Sequence, residues 1–250
     1  MKVISVIGSS GSGKTTTIER IIAELKRRGY SVGSVKDIHF EGFAIDTEGT
    51  NTYRHRQAGS QLVTARGLAE TDVLIPSRLP MDAILSFYDH DYVILEGVED
   101  YHVPRIVCGT VREDLKERMD AVTLAFSGRV SGTLEAYHDL PVLDARTQTE
   151  ELVDLIEDRT PHRLPNVDPE CCSRCGLSCQ EMLAAILRGE KERSDCQLRP
   201  GAVRLFIDDE EVPMVEFVRS ILRDAVLAVA GNLKGYREHG SIRVEIDREG

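Results

Sequence analysis

Eight residues near the start of the chain, Gly8-Ser9-Ser10-Gly11-Ser12-Gly13-Lys14-Thr15, have the composition of a loop that wraps around phosphate. Glycines let the backbone curl until successive N–H groups point inward at anionic oxygens. Lys14 is placed to reach the β- and γ-phosphates of a nucleoside triphosphate, and the Thr15 hydroxyl to hold Mg²⁺. The spacing is G-x-x-x-x-G-K-T, the Walker A pattern. Thr16 follows inside the first turn of a helix whose N-terminus adds partial positive charge. A Mg²⁺ site also needs an acid at the end of a neighbouring strand. The run Tyr92-Val93-Ile94-Leu95-Glu96-Gly97 supplies Glu96, so Lys14 and Glu96 are the candidate catalytic pair. The plainer reading of Glu96 is a solvated strand-end carboxylate.

A second group of polar residues follows. Lys36, Asp37 and His39 come directly after a strand, and in open parallel sheets ligands sit at the carboxyl ends of strands. Asp46 and the run Tyr53-Arg54-His55-Arg56-Gln57-Ala58-Gly59 come next. Arg54 and Arg56 suit an anion, because guanidinium pairs well with phosphate. These six side chains are candidates for a second ligand. An ordinary exposed helix charge, or an ordinary histidine, is the alternative for each.

The third constellation is thiol chemistry. Of six cysteines, five fall between residues 171 and 196. Cys172-x2-Cys175-x3-Cys179-x16-Cys196 offers four thiolates, with Cys171 to spare. Three near ligands and one distant ligand suit a four-iron cubane. Zinc, which more often takes two separated C-x2-C pairs, is the alternative, and free thiols the third reading.

These residues need elements to hold them. Val3–Ile7, residues 31–35, Tyr92–Leu95, Arg105–Val107, Val122–Phe126 and Pro141–Leu143 read as strands, as does Val73–Ile75. Ile18, Ile21, Ile22 and Leu25 form one helical face, with Gly29 at its C-terminal end; further helices fall near residues 51–58, 82–87, 112–118 and 149–157. Strands alternating with helices predict an α/β fold with a mainly parallel sheet over residues 1–158. Residues 159–170 carry three prolines and read as a linker. A small cysteine-rich segment (171–200) follows. The remainder, 201–250, reads as a small β-α-β unit: strand 203–207, helix 213–233 and strand 242–246. Its helix carries an apolar stripe that needs a partner surface. The chain has 31 Lys and Arg against 42 Asp and Glu, a net charge of −11, which excludes a broad nucleic-acid-binding face. No apolar run approaches the roughly 20 residues needed to cross a bilayer, and the start of the chain lacks a signal-peptide layout, so a cytoplasmic protein is expected.

Taken together, Walker A, Lys36–His39, Asp46 with Gly49, the Tyr53–Gly59 run and Leu95-Glu96-Gly97 resemble the MobB family, the molybdopterin-guanine dinucleotide biosynthesis protein B group. The resemblance covers roughly residues 1–158. It implies a P-loop GTP-binding adaptor, commonly a homodimer, with weak GTPase activity. Such an adaptor assists the transferase that joins GMP to molybdopterin, giving the dinucleotide form of the molybdenum or tungsten cofactor. The chain departs from the family at Asp37 and Phe40, where members tend to carry histidine, and at Gly49-Thr50-Asn51, where they tend to carry Gly-Lys-Asp. It has no Asn/Thr-Lys-x-Asp motif for reading guanine, so GTP as ligand rests on the resemblance. Residues 172–196 resemble the small [4Fe-4S] domain of corrinoid iron–sulfur proteins. Two other functions stay open: a P-loop small-molecule kinase, and a nucleotide-switched iron–sulfur redox or scaffold protein.

Overall fold

The computed structural model describes residues 1–40, 42–166, 172, 175–196, 203, 205–207, 210–212, 216–234, 236 and 242–244. Cys171, most of the expected linker end (167–170) and the last residues of the expected C-terminal strand lie outside these.

The β-branched run at the start forms β1 (Lys2–Gly8), and the glycine loop leads into α1 (Lys14–Arg27). Ile18, Ile21 and Leu25 of α1 are buried on the sheet, as their spacing requires. Gly29, at φ +92°, ends the helix: its N–H bonds Lys26 O and the Tyr30 N–H bonds Leu25 O. Then come β2 (Val32–Lys36), α2 (Asn51–Gln57), β3 (Val63–Arg66), β4 (Thr71–Leu74), α3 (Met81–Leu85) and β5 (Tyr92–Glu96). The unit continues with β6 (Arg105–Cys108), α4 (Arg112–Arg118), β7 (Thr123–Ser127), β8 (Ala136–Tyr137), β9 (Leu140–Pro141) and α5 (Thr149–Arg159).

Five strands make the central sheet, in the order β2-β5-β1-β6-β7, and every pairing in it is parallel. β6 and β7 are buried throughout, and β5 up to Glu96, the pattern of strands covered on both faces. The order places β1 at the centre, so its carboxyl end, where the glycine loop begins, is flanked by the ends of β5 and β6. The expected strand at Val73–Ile75 belongs elsewhere. β4 pairs antiparallel with β3 in a separate hairpin whose turn is closed by Gly67 N–H to Glu70 O. Its Thr71, Asp72 and Val73 are exposed, so this short strand lacks the apolar faces a central position demands. Pro141 likewise lies in a two-stranded hairpin with β8, while Val142 forms a parallel bridge to Phe126 alongside β7.

The cysteine segment is not set apart from this unit. Its helix α6 (Cys179–Leu187) opens on a capping box between Ser178 and Glu181. Met182, Leu183, Leu187 and Cys196 lie in one apolar cluster with Ile4, Ile21, Leu25, Leu152 and Ile156 of β1, α1 and α5. The Arg159 guanidinium donates to Leu187 O, and Arg193 donates to His162 O and Arg163 O. The stretch read as a linker is therefore bonded on both sides over its described residues.

Beyond it, β10 (Leu205–Ile207) and β11 (Glu210–Val212) form an antiparallel hairpin, followed by α7 (Glu216–Ala230). The hairpin precedes the helix, and residues 242–244 lie outside any strand, so the described part is β-β-α rather than β-α-β. Leu205 faces Val212 across the hairpin, an apolar pair that offers the first strand a local partner. Val218, Ile221 and Val229 of the expected stripe are exposed.

Candidate functional site

The carboxyl ends of the parallel strands surround a cavity of about 720 Å³. Its floor is the glycine loop and the first turn of α1: Gly8, Ser10, Gly11, Gly13, Lys14, Thr15 and Thr16 all line it. Gly8, Gly11 and Gly13 have φ of +148°, +73° and +103°. A Cβ at Gly8 would stand 2.1 Å from Cys108 O, so the loop can pack on β6 only with glycine there. Lys14 Nζ donates to Gly8 O at 2.8 Å and Ser9 O at 2.7 Å, which folds its ammonium back across the loop. Ser12 is fully buried beneath, and its carbonyl accepts the Arg129 N–H.

On the β5 side, Glu96 Oε1 accepts from Thr15 Oγ1 and from Lys36 Nζ, both at 3.2 Å. The hydroxyl and carboxylate expected to hold Mg²⁺ are thus adjacent, a hard-oxygen pair of the kind that binds Mg²⁺ together with substrate phosphates. Among the described residues no group of three or more His, Cys, Asp or Glu side chains could hold a metal ion unaided. Asp37 and His39 also reach the wall. Asp37 lies 3.7 Å from His39 Nε2 and 3.3 Å from Arg78, and His39 Nε2 is 3.4 Å from Gly97 O.

The other second-ligand candidates are not on the cavity wall. Asp46 accepts from the hydroxyls of Thr50 and Thr52 at 2.7 and 2.8 Å and lies 3.6 Å from Arg56. The Thr50 hydroxyl, more than Arg56, holds the Asp46 carboxyl below its ordinary range. Thr50 is itself the N-cap of α2, accepting the Tyr53 N–H. Asp46 and Arg56 thus anchor the start of α2, and Arg54 is exposed on it.

Sequence reasoning missed the opposite wall. Ser127-Gly128-Arg129, at the end of β7, and Asp144-Ala145-Arg146, after the Val142 bridge, complete the cavity. The strand-end rule applied to Lys36 and Glu96 would have found both, had it been extended to β7 and to the 141–143 run. A Cβ on Gly128 would stand 2.2 Å from Ser12 O, so β7 docks directly on the glycine loop.

None of the four expected cluster ligands is in a disulfide. Cys196 is buried, and Cys172 and Cys175 pack against the same apolar cluster as α6. Cys179 is the first residue of that helix. Thiolates suit iron–sulfur chemistry by type, but no three of these cysteines stand together as a metal-holding group.

A central parallel sheet with a Walker loop between β1 and α1 defines a P-loop fold of the α/β class. Residues 3–125 match the family model described as MobB, molybdopterin guanine dinucleotide synthesis protein B. The chain is 29% identical, over 99% of its length and 98% of the other, to a Methanocaldococcus jannaschii protein provisionally named a molybdopterin-guanine dinucleotide biosynthesis adapter protein. A similarly named Bacillus subtilis protein is 26% identical over 57% of this chain and 85% of its own. The crystal structure of Bacillus subtilis MobB superposes with a TM-score of 0.55 at 24% identity, over 65% of this chain and all of that one, and so shares the fold. Over residues 3–125 the chain carries a MobB-type domain, and its relatives bear the same family name. No helix among the described residues is long and apolar enough to cross a membrane.

Proposed function

We propose that the protein is a GTP-binding adaptor of molybdopterin-guanine dinucleotide assembly, serving molybdenum or tungsten cofactor synthesis, with slow GTP hydrolysis. The observation that carries this is the convergence of Lys14, Thr15 and Glu96 on one cavity floored by the glycine loop. The names of its relatives supply the pathway. The cavity lies within the roughly 300–1,000 Å³ usual for small-molecule sites. Lys14 would neutralise the β- and γ-phosphates, while Thr15 and Glu96 would hold Mg²⁺ against them. A transferase that uses GTP would be the partner, and a second copy of the chain would complete a homodimer. Calorimetry with Mg-GTP tests the reading: wild type binds, and Lys14→Ala loses binding by at least about 100-fold, because a charge-assisted contact disappears from a site built around it. Equal affinities for the two proteins would refute it.

Cys172, Cys175, Cys179 and Cys196 would hold a [4Fe-4S] cluster, whose chemistry is electron transfer or structural bracing. Cys172, Cys175 and Cys196 border the apolar cluster that α6 joins, and because no three of the described cysteines stand as a metal-holding group, loading would have to draw the thiolates together. Anaerobic purification followed by iron, sulfide and zinc analysis decides it. Stoichiometric zinc without iron would replace the cluster by a zinc site.

A further inference from the structure

We propose that Asp144 reads the base of the bound nucleotide and selects guanine. The proposal rests on the nucleotide reading of the cavity and extends it to the wall that the phosphate chemistry leaves unused. Thr15, Glu96 and Lys36 lie on the β5 side of the glycine loop, which fixes the metal-bearing γ-phosphate end there. The nucleoside must then leave the loop on the opposite side, toward β6 and β7. The cavity on that side is lined by Ser127, Gly128, Arg129, Asp144, Ala145 and Arg146. Asp144 is the sole carboxylate in that group of six.

Its position is built rather than incidental. The preceding residue is tied to β7 twice, by Leu143 N–H to Phe126 O at 2.9 Å and by Ser127 Oγ to Leu143 O at 2.7 Å. The following turn is closed by Gln148 N–H to Asp144 O at 2.7 Å, against the start of α5. The side chain is about three-quarters buried. Asp144 Oδ1 accepts the Arg146 N–H at 2.9 Å and Arg146 Nε at 3.3 Å, whereas Oδ2 has a 3.5 Å contact from the same guanidinium. The Arg146 N–H, more than its guanidinium, holds the carboxyl below its ordinary range, so at neutral pH it is an acceptor alone.

An ionised carboxylate discriminates between purines by elementary chemistry. The guanine edge presents two adjacent donors, N1–H and the N2 amino group, which a carboxylate accepts together. Adenine presents an acceptor at N1 beside its N6 amino donor, so one carboxylate oxygen would face a lone pair. Selection by a buried polar group left unpaired is the stronger kind of discrimination. This supplies a guanine reader in a chain that has no Asn/Thr-Lys-x-Asp motif.

The test is calorimetric titration of the full chain, with Mg²⁺, against GTP, ITP, ATP and XTP, for wild type, Asp144→Asn and Asp144→Glu. Wild type should bind GTP most tightly, ITP less, because it lacks the N2 amino group, and ATP least, with roughly 10-fold steps. Asp144→Asn keeps an acceptor for the Arg146 N–H but gains an amide donor that suits the O2 of xanthine. It should lose at least about 10-fold for GTP and gain for XTP, and gain for ATP as well, because its amide can donate to adenine N1. Asp144→Glu displaces the charge and should lose the preference for GTP over ATP without gaining XTP, which keeps the test alive if the Asn variant misfolds. The proposal is overturned if wild type binds GTP and ATP within twofold, or if both variants weaken all four nucleotides by one factor, as a purely structural turn would. No binding of any triphosphate by wild type overturns the phosphate-site reading itself.

Discussion

Replacing Gly128 by alanine perturbs the glycine loop without changing any residue of its sequence. Gly128 has φ +86° and ψ −155°, a region that is almost the preserve of glycine and costs a side-chain-bearing residue about 1–3 kcal/mol. The added Cβ would also stand 2.2 Å from Ser12 O, 3.1 Å from Gly109 O and 3.2 Å from Cys108 Cβ. The first two neighbours are backbone, so the clash cannot be relieved by rotating a side chain, and overpacking of this kind costs about 1–3 kcal/mol. Ser12 O accepts the Arg129 N–H at 3.1 Å, and moving it forfeits about 1 kcal/mol more. The sum is about 3–7 kcal/mol, a large share of the roughly 5–15 kcal/mol that stabilises a domain. At about 2–4 °C per kcal/mol for a chain of this size, the melting temperature followed by circular dichroism should fall by roughly 6–28 °C. Nucleotide affinity should fall with it, because the atom displaced is in the loop. Gly132→Ala is the control: a Cβ there meets nothing within 4 Å, so its effect should stay within about 1 kcal/mol. A Gly128→Ala protein that melts within 2–3 °C of wild type (about 1 kcal/mol) and binds nucleotide as well would refute the argued contact between β7 and the loop.

Three further outcomes are expected. Hydrogen bonds from Arg27 and Arg28 lower the Glu24 carboxyl from 4.5 to about 2, so its contribution to stability is present above about pH 4.5 and lost as pH falls toward 2; Glu24→Gln should flatten the melting-temperature profile across that window, and an unchanged profile would contradict the assignment. Burial pushes the Cys108 thiol up to about 11, so mass spectrometry after brief iodoacetamide treatment of the native protein should find Cys108 unmodified and find it modified only once the chain is unfolded. Leu183→Ala should destabilise the nucleotide-binding unit by about 2–5 kcal/mol in urea titration, since Leu183 shares a core with Ile21 and Leu152; loss confined to the cysteine segment would show the two to be separate.

The glycine loop and its flanking elements were legible without coordinates because their causes are local. Gly8, Gly11 and Gly13 are demanded by backbone angles, and Ile18, Ile21 and Leu25 by helical spacing. The apolar run ending at Glu96 announced its strand for the same reason. Asp46 and Arg56 stand off the cavity, and a charged pair looks alike in sequence whether it binds a ligand or braces a helix. Their separation from the cavity follows from Thr50 and Thr52 capturing Asp46.

The sequence by itself determined that a Walker loop lies between a strand and an amphipathic helix in a parallel α/β unit, and that cysteines cluster near residues 171–196. Only the tertiary structure decided which strands stand beside β1, and hence that Glu96 meets Thr15 while Gly128 and Asp144 form the opposite wall. It also joined α6 to the core of α1 and α5. Strand order and helix docking depend on contacts between residues more than 100 positions apart, such as Thr17 with Ser127, and the periodicity of one segment carries no information about which distant segment will cover it.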